Sequence, residues 1–263
     1  MLYAAQDRIT LRAMKWIVLS VGFLWVCNGA GKKSERHPLP DPQEFSLVDV
    51  IRSMKRSIAP VVCATSGTPD WTLNSVEGTA FFVSTDGIFV TPNHVIDGIV
   101  SAQRQTPCPV AAIFIPANGW STNAPTLRVN FYGFKTGSCN INRELDVAVC
   151  KPLKPVTDIT PAVLETTPPP DGTPVAFTGF PLSNVMPITS TGTVAGYKDL
   201  RETGPETIIV DKNTWPGASG SPIYLRNGRV VGMLTLRGTG DGAGLTYGRT
   251  GKVLSDLLAG TAK

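Results

Sequence analysis

Two sets of short β-rich segments constrain the fold of this 263-residue chain more than any other feature. Each set contains about six runs of aliphatic, β-branched and aromatic residues, separated by Gly, Pro, Asn and Asp. The runs lie at 61–65, 78–84, 88–91, 110–115, 127–134 and 146–151 in the first set, and at 174–179, 188–196, 207–211, 222–226, 229–236 and 244–247 in the second. A proline-rich linker, 154–171, separates the sets. The pattern therefore predicts an all-β protein of two small antiparallel barrels, 58–153 and 172–263, with a cleft between them.

Two further segments have helical periodicity. The first, 46–56, belongs to a linker and short helix that we place at 32–57, and its Ser46 and Asp49 occupy the positions of a capping box. The second, 252–259, is a C-terminal helix. The apolar faces consist of Leu47, Val50, Ile51 and Met54 in the first segment and Val253, Leu254, Leu257 and Leu258 in the second.

The amino terminus has the pattern of a secretory signal peptide. Basic residues precede an apolar stretch of about eleven residues, 16–26, and small residues follow it. A membrane-spanning helix needs about 20 apolar residues, so the pattern favours a signal over 1–31, cleaved near Ala30, rather than a stable membrane span. Met14 is an alternative start that keeps the same apolar stretch. We therefore expect an exported protein, periplasmic or extracellular.

The cysteine count fits that location. Removal of the signal leaves Cys63, Cys108, Cys139 and Cys150, an even number that indicates disulfides in an oxidising compartment. Of the three possible pairings, the polar, turn-rich surroundings of Cys108 and Cys139 favour a bridge between these two. Cys63 and Cys150 lie in apolar runs, where free buried cysteines are also expected. None is clustered with histidine, so we expect no metal site and no cofactor.

A glycine-flanked serine is the strongest local signal for chemistry. Ser219 lies in the segment 216–222, Pro-Gly-Ala-Ser-Gly-Ser-Pro, which leads into an apolar strand. A serine hydroxyl is a weak nucleophile until a neighbouring base takes its proton. The glycines allow the N–H groups of Gly217 and Ser219 to point at one position, where they could stabilise an oxyanion. Taken alone, an ordinary Gly/Ser turn explains the segment equally well.

A histidine and an aspartate complete the candidate site. Of the two histidines, His37 lies in the polar linker, so His94, at the end of a buried run, is the candidate base. Asp146 directly precedes the apolar strand 147–150, where a carboxylate is costly unless it is paired. An imidazole N–H is a suitable partner for it. Each residue also has a structural explanation: His94 as a hydrogen-bonded core histidine, and Asp146 as an aspartate that caps a strand.

These residues resemble the motif blocks of the trypsin-like serine protease superfamily. The blocks are Gly-Thr-Ala-Phe-Phe-Val at 78–83, Thr-Pro-Asn-His-Val at 91–95, Leu-Asp-Val-Ala-Val at 145–149 and Gly-Ala-Ser-Gly-Ser-Pro at 217–222. The order His, Asp, Ser matches that superfamily, and the segments 179–181, 191–194 and 230–232 resemble its bacterial Deg-type branch. The resemblance covers about 58–259.

The resemblance implies two six-stranded antiparallel β-barrels with the active site between them. His94 and Asp146 would come from the first barrel and Ser219 from the second. Gly217, Ala218 and Ser219 would form the oxyanion hole. The Deg-type branch usually carries a downstream peptide-binding PDZ domain, which we do not expect here, so the chain should act as a bare protease domain.

Departures from the family pattern concern activation and specificity. Ala218 stands where digestive-type members carry an aspartate that pairs with a newly cut amino terminus, so activation of that kind is not expected. Asn213, six residues before the serine, replaces the acidic pocket floor that selects Arg or Lys. Thr235, Leu236 and Arg237 would line the remaining wall, where Arg237 either narrows the pocket or favours an acidic partner.

The leading hypothesis is a serine endopeptidase that hydrolyses a protein or peptide substrate through an acyl-enzyme intermediate. The alternative is a catalytically inactive protease-fold protein that binds peptides, and a structural envelope protein is the third reading. The net charge of +4 comes from scattered basic residues, which argues against a nucleic-acid partner. The oligomeric state is open.

Overall fold

A computed structural model describes residues 46–67, 70–101, 107–120, 127–201, 204–239 and 242–261. The predicted signal peptide, the linker before residue 46 and His37 lie outside the described residues. The described part contains thirteen strands and three α-helices. In chain order these are α1 (Leu47–Met54), β1 (Ile58–Thr65), β2 (Thr72–Phe82), β3 (Phe89–Thr91), α2 (Asn93–Val100), β4 (Val110–Pro116), β5 (Val129–Gly133), β6 (Asn140–Asn142), β7 (Val147–Cys150), β8 (Pro174–Gly179), β9 (Ile188–Arg201), β10 (Gly204–Asp211), β11 (Pro222–Tyr224), β12 (Val230–Arg237), β13 (Leu245–Thr250) and α3 (Gly251–Thr261). Short 3₁₀ turns lie at Thr136–Ser138 and Pro181–Ser183.

The first seven strands form one antiparallel sheet in the order β5-β4-β1-β2-β3-β7-β6. All six predicted runs of the first set contain strands, but the sheet has a seventh strand and its pairings leave it open between β5 and β6. The described strands thus form a seven-stranded sheet where the resemblance implies a six-stranded barrel, and an isolated bridge between Phe134 and Pro152 joins the chain after β5 to the chain after β7. The additional strand, β6, is three residues long and contains two asparagines, so it has no apolar run from which a strand could be predicted.

The last six strands form a closed antiparallel barrel in the order β10-β13-β12-β11-β8-β9. The six predicted strands of the second set are confirmed. Strand β9 extends to Arg201, beyond the predicted end at residue 196. Its polar extension, which includes Lys198 and Asp199, pairs with β10. Backbone pairing with a neighbouring strand, rather than burial of side chains, accounts for this added length.

Both predicted helices are present. Val50 and Met54 of α1 are buried in the core, as are Val253 and Leu254 of α3. The prediction of a capping box at the start of α1 is wrong, because Ser46 makes no side-chain capping bond and the Asp49 carboxylate pairs with Arg52 instead. None of the described helices is long and apolar enough to cross a membrane.

Helix α2 was not predicted. It is eight residues long, and it contains a glycine and the β-branched residues Val95, Ile96 and Ile99. Such residues lower helix propensity, so the segment has the pattern of a strand end. These three apolar side chains are buried against the first sheet, which shows that packing determines the helix.

Two disulfides join the four described cysteines, but the favoured pairing of Cys108 with Cys139 is wrong. Cys63 bonds Cys108 and Cys139 bonds Cys150, with Cα–Cα distances of 5.5 and 4.4 Å. The register explains the second bridge, because Asn140 pairs with Val149 and the next residues outward are the two cysteines. The Cys139–Cys150 bridge therefore closes the base of the β6–β7 hairpin.

A shared apolar cluster packs residues of the first sheet against residues of the second barrel. Phe81 and Phe114 of the first sheet and Phe180, just after β8, belong to this cluster and are almost fully buried. Trp120 continues the contact, with its ring centroid 5.1 Å from that of Phe180. Burial of a phenylalanine contributes about 1.5–3 kcal/mol, so this cluster holds the two β structures together beside the cleft.

Candidate active site

His94 lies in the first turn of α2, directly after strand β3. Pro92 precedes the helix in an extended conformation and Asn93 is its first residue. The hydroxyl of Thr91, at the end of β3, donates to the carbonyl of Thr79 at 2.8 Å and fixes the strand end from which the helix departs. The His94 side chain is 47% exposed, so it is accessible from the cleft.

Asp146 meets His94 because of the register between β3 and β7. Thr91 pairs with Ala148, so the residues just beyond Thr91 face the residues just before Ala148. The Asp146 carboxylate accepts the backbone N–H of His94 at 2.9 Å and lies 2.7 Å from Nδ1 of the same residue. Two bonds from one carboxylate fix the position and the orientation of the imidazole together.

The backbone of Asp146 has an unusual conformation. Its φ is +53°, in the left-handed region, which aspartate adopts more readily than most residues. It ends the four-residue turn 143–146 between β6 and β7, and its N–H donates to the Arg143 carbonyl at 3.3 Å. This conformation directs the carboxylate from the hairpin toward α2.

Ser219 lies on a loop that folds tightly upon itself. The N–H of Ala218 donates to the Trp215 carbonyl at 3.0 Å, and the N–H of Ser221 donates to the Ala218 carbonyl at 3.0 Å. Gly217 and Gly220 have φ of +90° and +92°, a region that glycine adopts without penalty. A Cβ on Gly220 would lie 1.8 Å from the Thr79 carbonyl oxygen, so only glycine fits there.

Thr79 of β2 connects this loop to the first sheet. Its N–H donates to the Ser219 carbonyl at 2.8 Å. Its hydroxyl donates to the Gly217 carbonyl and accepts the N–H of Phe180, both at 3.0 Å. Thr79 is fully buried. A single side chain thus fixes the serine loop and the segment after β8 to the sheet that carries His94 and Asp146.

Two N–H groups of the loop have no acceptor among the described residues. Those of Ala218, Gly220 and Ser221 are bonded to carbonyls, whereas those of Gly217 and Ser219 are not. The Pro216 carbonyl accepts the N–H of Leu182 at 2.7 Å. Since the two ends of a trans peptide point in opposite directions, the N–H of Gly217 points away from Leu182. The N–H of Ala218, which the family resemblance places in the oxyanion hole, already donates to the Trp215 carbonyl within the loop.

A cleft of about 390 Å³ is lined by both His94 and Ser219. Its lining consists of His94, Thr214, Trp215, Pro216, Ser219, Leu234, Thr235, Leu236, Arg237 and Thr246. The hydroxyl of Ser219 donates to the Thr235 carbonyl at 3.5 Å. The apolar rim is open, since Trp215 is 54% and Leu236 64% exposed.

Only some of the residues predicted for the substrate pocket line the cleft. Thr235, Leu236 and Arg237 line the cleft, whereas Asn213 is exposed and is not among the lining residues. Thr214 and Thr246 line it instead. Both are buried, and the Thr246 hydroxyl lies 3.1 Å from that of Thr214. Sequence reasoning missed Thr246 because only the pairing of β13 with β12 brings it there, opposite Arg237.

The fold and this constellation define a class: a peptidase-type fold in which one cleft is lined by a serine on a tight loop and by a histidine that contacts an aspartate. The chain belongs to the family of trypsin-like peptidase domains, because residues 78–233, more than half of its length, match the model of that family. A solved structure of Deg5 covers 80% of this chain and 90% of its own, with a TM-score of 0.57 and 17% identity. At this identity the likeness shows a common fold. A comparison with curated protein sequences found no match.

Proposed function

We propose that this chain is a serine endopeptidase with Ser219 as nucleophile, His94 as general base and Asp146 as the residue that orients the base. The observation that carries the proposal is the double contact of the Asp146 carboxylate with Nδ1 and the backbone N–H of His94. A carboxylate at Nδ1 favours the tautomer that carries its proton there, which leaves Nε2 free to accept another. The position of Ser219 in the same cleft supports the same reading.

In the proposed acylation step, Oγ of Ser219 attacks the carbonyl carbon of the substrate while Nε2 of His94 takes the hydroxyl proton. The Asp146 carboxylate stabilises the resulting imidazolium. The tetrahedral intermediate collapses as His94 gives its proton to the leaving amine, and the acyl group remains on Ser219. A water molecule, deprotonated by His94, then hydrolyses the ester. The Ser219 hydroxyl must first turn away from the Thr235 carbonyl.

The oxyanion would be held by the N–H groups of Gly217 and Ser219. Their lack of an internal acceptor supports this role, as does the bond that fixes the Pro216 carbonyl to Leu182. Loss of one such donor typically lowers the rate about 10²–10³-fold. Ala218 would contribute through its side chain, which packs in the apolar core of the second barrel and needs no charged partner to hold the loop.

The cleft is proposed to favour uncharged or acidic side chains and to reject lysine and arginine. Its described lining contains the hydroxyls of Thr214 and Thr246 and the cation Arg237, and no carboxylate. A basic substrate side chain would meet a like charge there without a compensating anion. Cleavage of a peptide library should therefore show few sites after Lys or Arg.

We also propose that the protein is exported, by the signal predicted at 1–31. The two disulfides support this location, because structural disulfides persist in oxidising compartments.

Labelling by a fluorophosphonate probe, which reacts with activated serines, tests the proposal. Wild type should be labelled and Ser219→Ala should not. Ser221→Ala is the matched control: Ser221 lies two positions away and is buried, and its hydroxyl has no hydrogen-bond partner among the described residues, so this variant should be labelled normally. Asp146→Asn should lower kcat about 10⁴-fold.

Equal labelling of wild type and Ser219→Ala would disprove the assignment of the nucleophile. A folded wild type that binds peptides and hydrolyses none across a broad pH range would instead support the alternative of a binding protein.

A further inference from the structure

The turn that carries Asp146 is contacted from the second barrel. Its two preceding carbonyls, those of Glu144 and Leu145, both accept hydrogen bonds from Arg249 of β13. The Nε of Arg249 donates to Leu145 at 2.7 Å and Nη2 donates to Glu144 at 3.4 Å. The guanidinium thus spans from one β structure to the turn of the other.

The remaining nitrogen of Arg249 is anchored within its own barrel. Nη1 donates to the hydroxyl of Thr207 at 3.1 Å, and that hydroxyl donates to the Asp199 carboxylate at 2.7 Å. A guanidinium is planar and its N–H groups have fixed directions, so three bonds through three nitrogens determine its orientation. Arg249 is therefore a rigid link rather than a mobile surface cation.

We infer that Arg249 is a positioning residue for the His94–Asp146 pair, an inference that rests on the proposed function. The φ angle of Asp146 measures rotation about N–Cα relative to the Leu145 carbonyl carbon. By holding the Leu145 carbonyl, Arg249 fixes the peptide plane from which the left-handed Asp146 backbone starts. The direction of the Asp146 carboxylate toward His94 then follows from that plane.

The geometry also explains why the link comes from the second barrel. Ser219 lies on the loop that leads into β11 of that barrel, whereas His94 and Asp146 directly adjoin β3 and β7 of the first sheet. The hydrogen bonds of Arg249 connect the turn that carries Asp146 directly to the second barrel. This connection does not depend on packing in the apolar core. A displacement of about 1 Å in a catalytic constellation can cost about 10²-fold in rate, so this contact is expected to affect turnover more than substrate binding.

Arg249→Met and Arg249→Lys test the inference, with Arg229→Met as the matched control. Arg229 also donates to a backbone carbonyl, that of Leu164 at 3.1 Å, and its Nε donates to Glu165 at 2.7 Å. Arg229 is not among the residues that line the cleft. Steady-state kinetics on a peptide substrate gives kcat and KM per folded molecule, with the folded fraction taken from circular dichroism.

A second readout does not depend on activity. In the Ser219→Ala background, proton NMR follows the low-field resonance of the His94 Nδ1 proton, which reports its bond to Asp146. This signal should persist with Arg229→Met and should be lost or shifted upfield with Arg249→Met. Arg249→Lys keeps one donor and should retain most of the signal.

The expected kinetic result is a fall in kcat of about 10–100-fold for Arg249→Met, with KM nearly unchanged and partial rescue by Arg249→Lys. If Arg249→Met does not fold, Arg249→Lys and Thr207→Val, which removes the acceptor of Nη1, should still show intermediate losses. Unchanged kcat and an unchanged resonance in folded Arg249 variants would overturn the inference. If wild type is inactive and unlabelled, but the His94 resonance is still lost on substitution of Arg249, only the proposed function is overturned.

Discussion

Thr79→Val should destabilise the protein by about 2–4 kcal/mol. Valine nearly matches threonine in shape but lacks the hydroxyl, which donates to Gly217 and accepts from Phe180 at 3.0 Å each. Phe180 is fully buried, so its N–H would lose the one side-chain acceptor that it has in the described part of the chain, and no water would replace it. An unsatisfied buried group costs about 1–3 kcal/mol, and the carbonyl of Gly217 would lose a donor as well. The backbone bonds of Thr79 would remain.

The same substitution should lower turnover. The Gly217 carbonyl would no longer be fixed, so the adjacent N–H groups proposed for the oxyanion would be less well oriented. Because neither donor is removed, the loss in kcat should fall below the roughly 10²–10³-fold that deletion of one donor causes, and we expect about tenfold. Urea unfolding followed by tryptophan fluorescence gives the stability, and peptide hydrolysis gives kcat.

Thr250→Val provides the matched control for Thr79→Val. Its hydroxyl also donates to a carbonyl, that of Pro205 at 2.9 Å, and accepts an N–H, that of Val253 at 3.5 Å. It should lose stability but keep its kcat per folded molecule. If Thr79→Val lost less than about 1 kcal/mol, or matched Thr250→Val in kcat, the reasoning would be refuted.

Two further predictions concern stability. The N–H of Thr167 and the guanidinium of Arg229 hold the pKa of Glu165 below its ordinary value of 4.5. Folding therefore favours the charged form, and this contribution is present above the ordinary pKa and lost as pH falls through the lowered one. The difference in urea midpoint between wild type and Glu165→Gln should shrink as the pH falls below 4.5, and a difference that grows on acidification would contradict the assignment. Serines at both Cys139 and Cys150, which are 11 positions apart, should cost about 2–3 kcal/mol in urea unfolding. Equal stability of this double variant and the oxidised wild type would show that the hairpin needs no covalent closure.

The strands could be predicted from the sequence because most of them bury apolar residues on at least one face. The closed barrel follows this rule, and its six strands appear as runs such as Val230–Arg237. The missed elements are those whose cause lies in tertiary structure. Strand β6 forms through pairing with β7, and α2 forms by packing its β-branched residues against the first sheet. Neither strand pairing nor tertiary packing produces a recognisable pattern in the local sequence.

The candidate residues of the site could be proposed from the sequence, but their connections could not. His94, Asp146 and Ser219 are chemically distinctive, and the chain has few competitors for their roles. Thr79 and Arg249 resemble ordinary strand residues, and their importance arises from contacts more than 100 positions away in sequence. The predicted pairing of Cys139 failed for the same reason, since the Cys139–Cys150 bridge depends on the register of β6 with β7.

The links at Thr79 and Arg249 have a consequence for mutational tolerance. Both side chains bind main-chain atoms: the carbonyls of Gly217, Glu144 and Leu145 and the N–H of Phe180. Every residue type has a carbonyl and all but proline have an N–H, so positions 144 and 145 can change their side chains without losing their half of the contact. Thr79 and Arg249 cannot. In a saturation-mutagenesis map, the Arg249 link should therefore appear as one intolerant position facing two permissive partners.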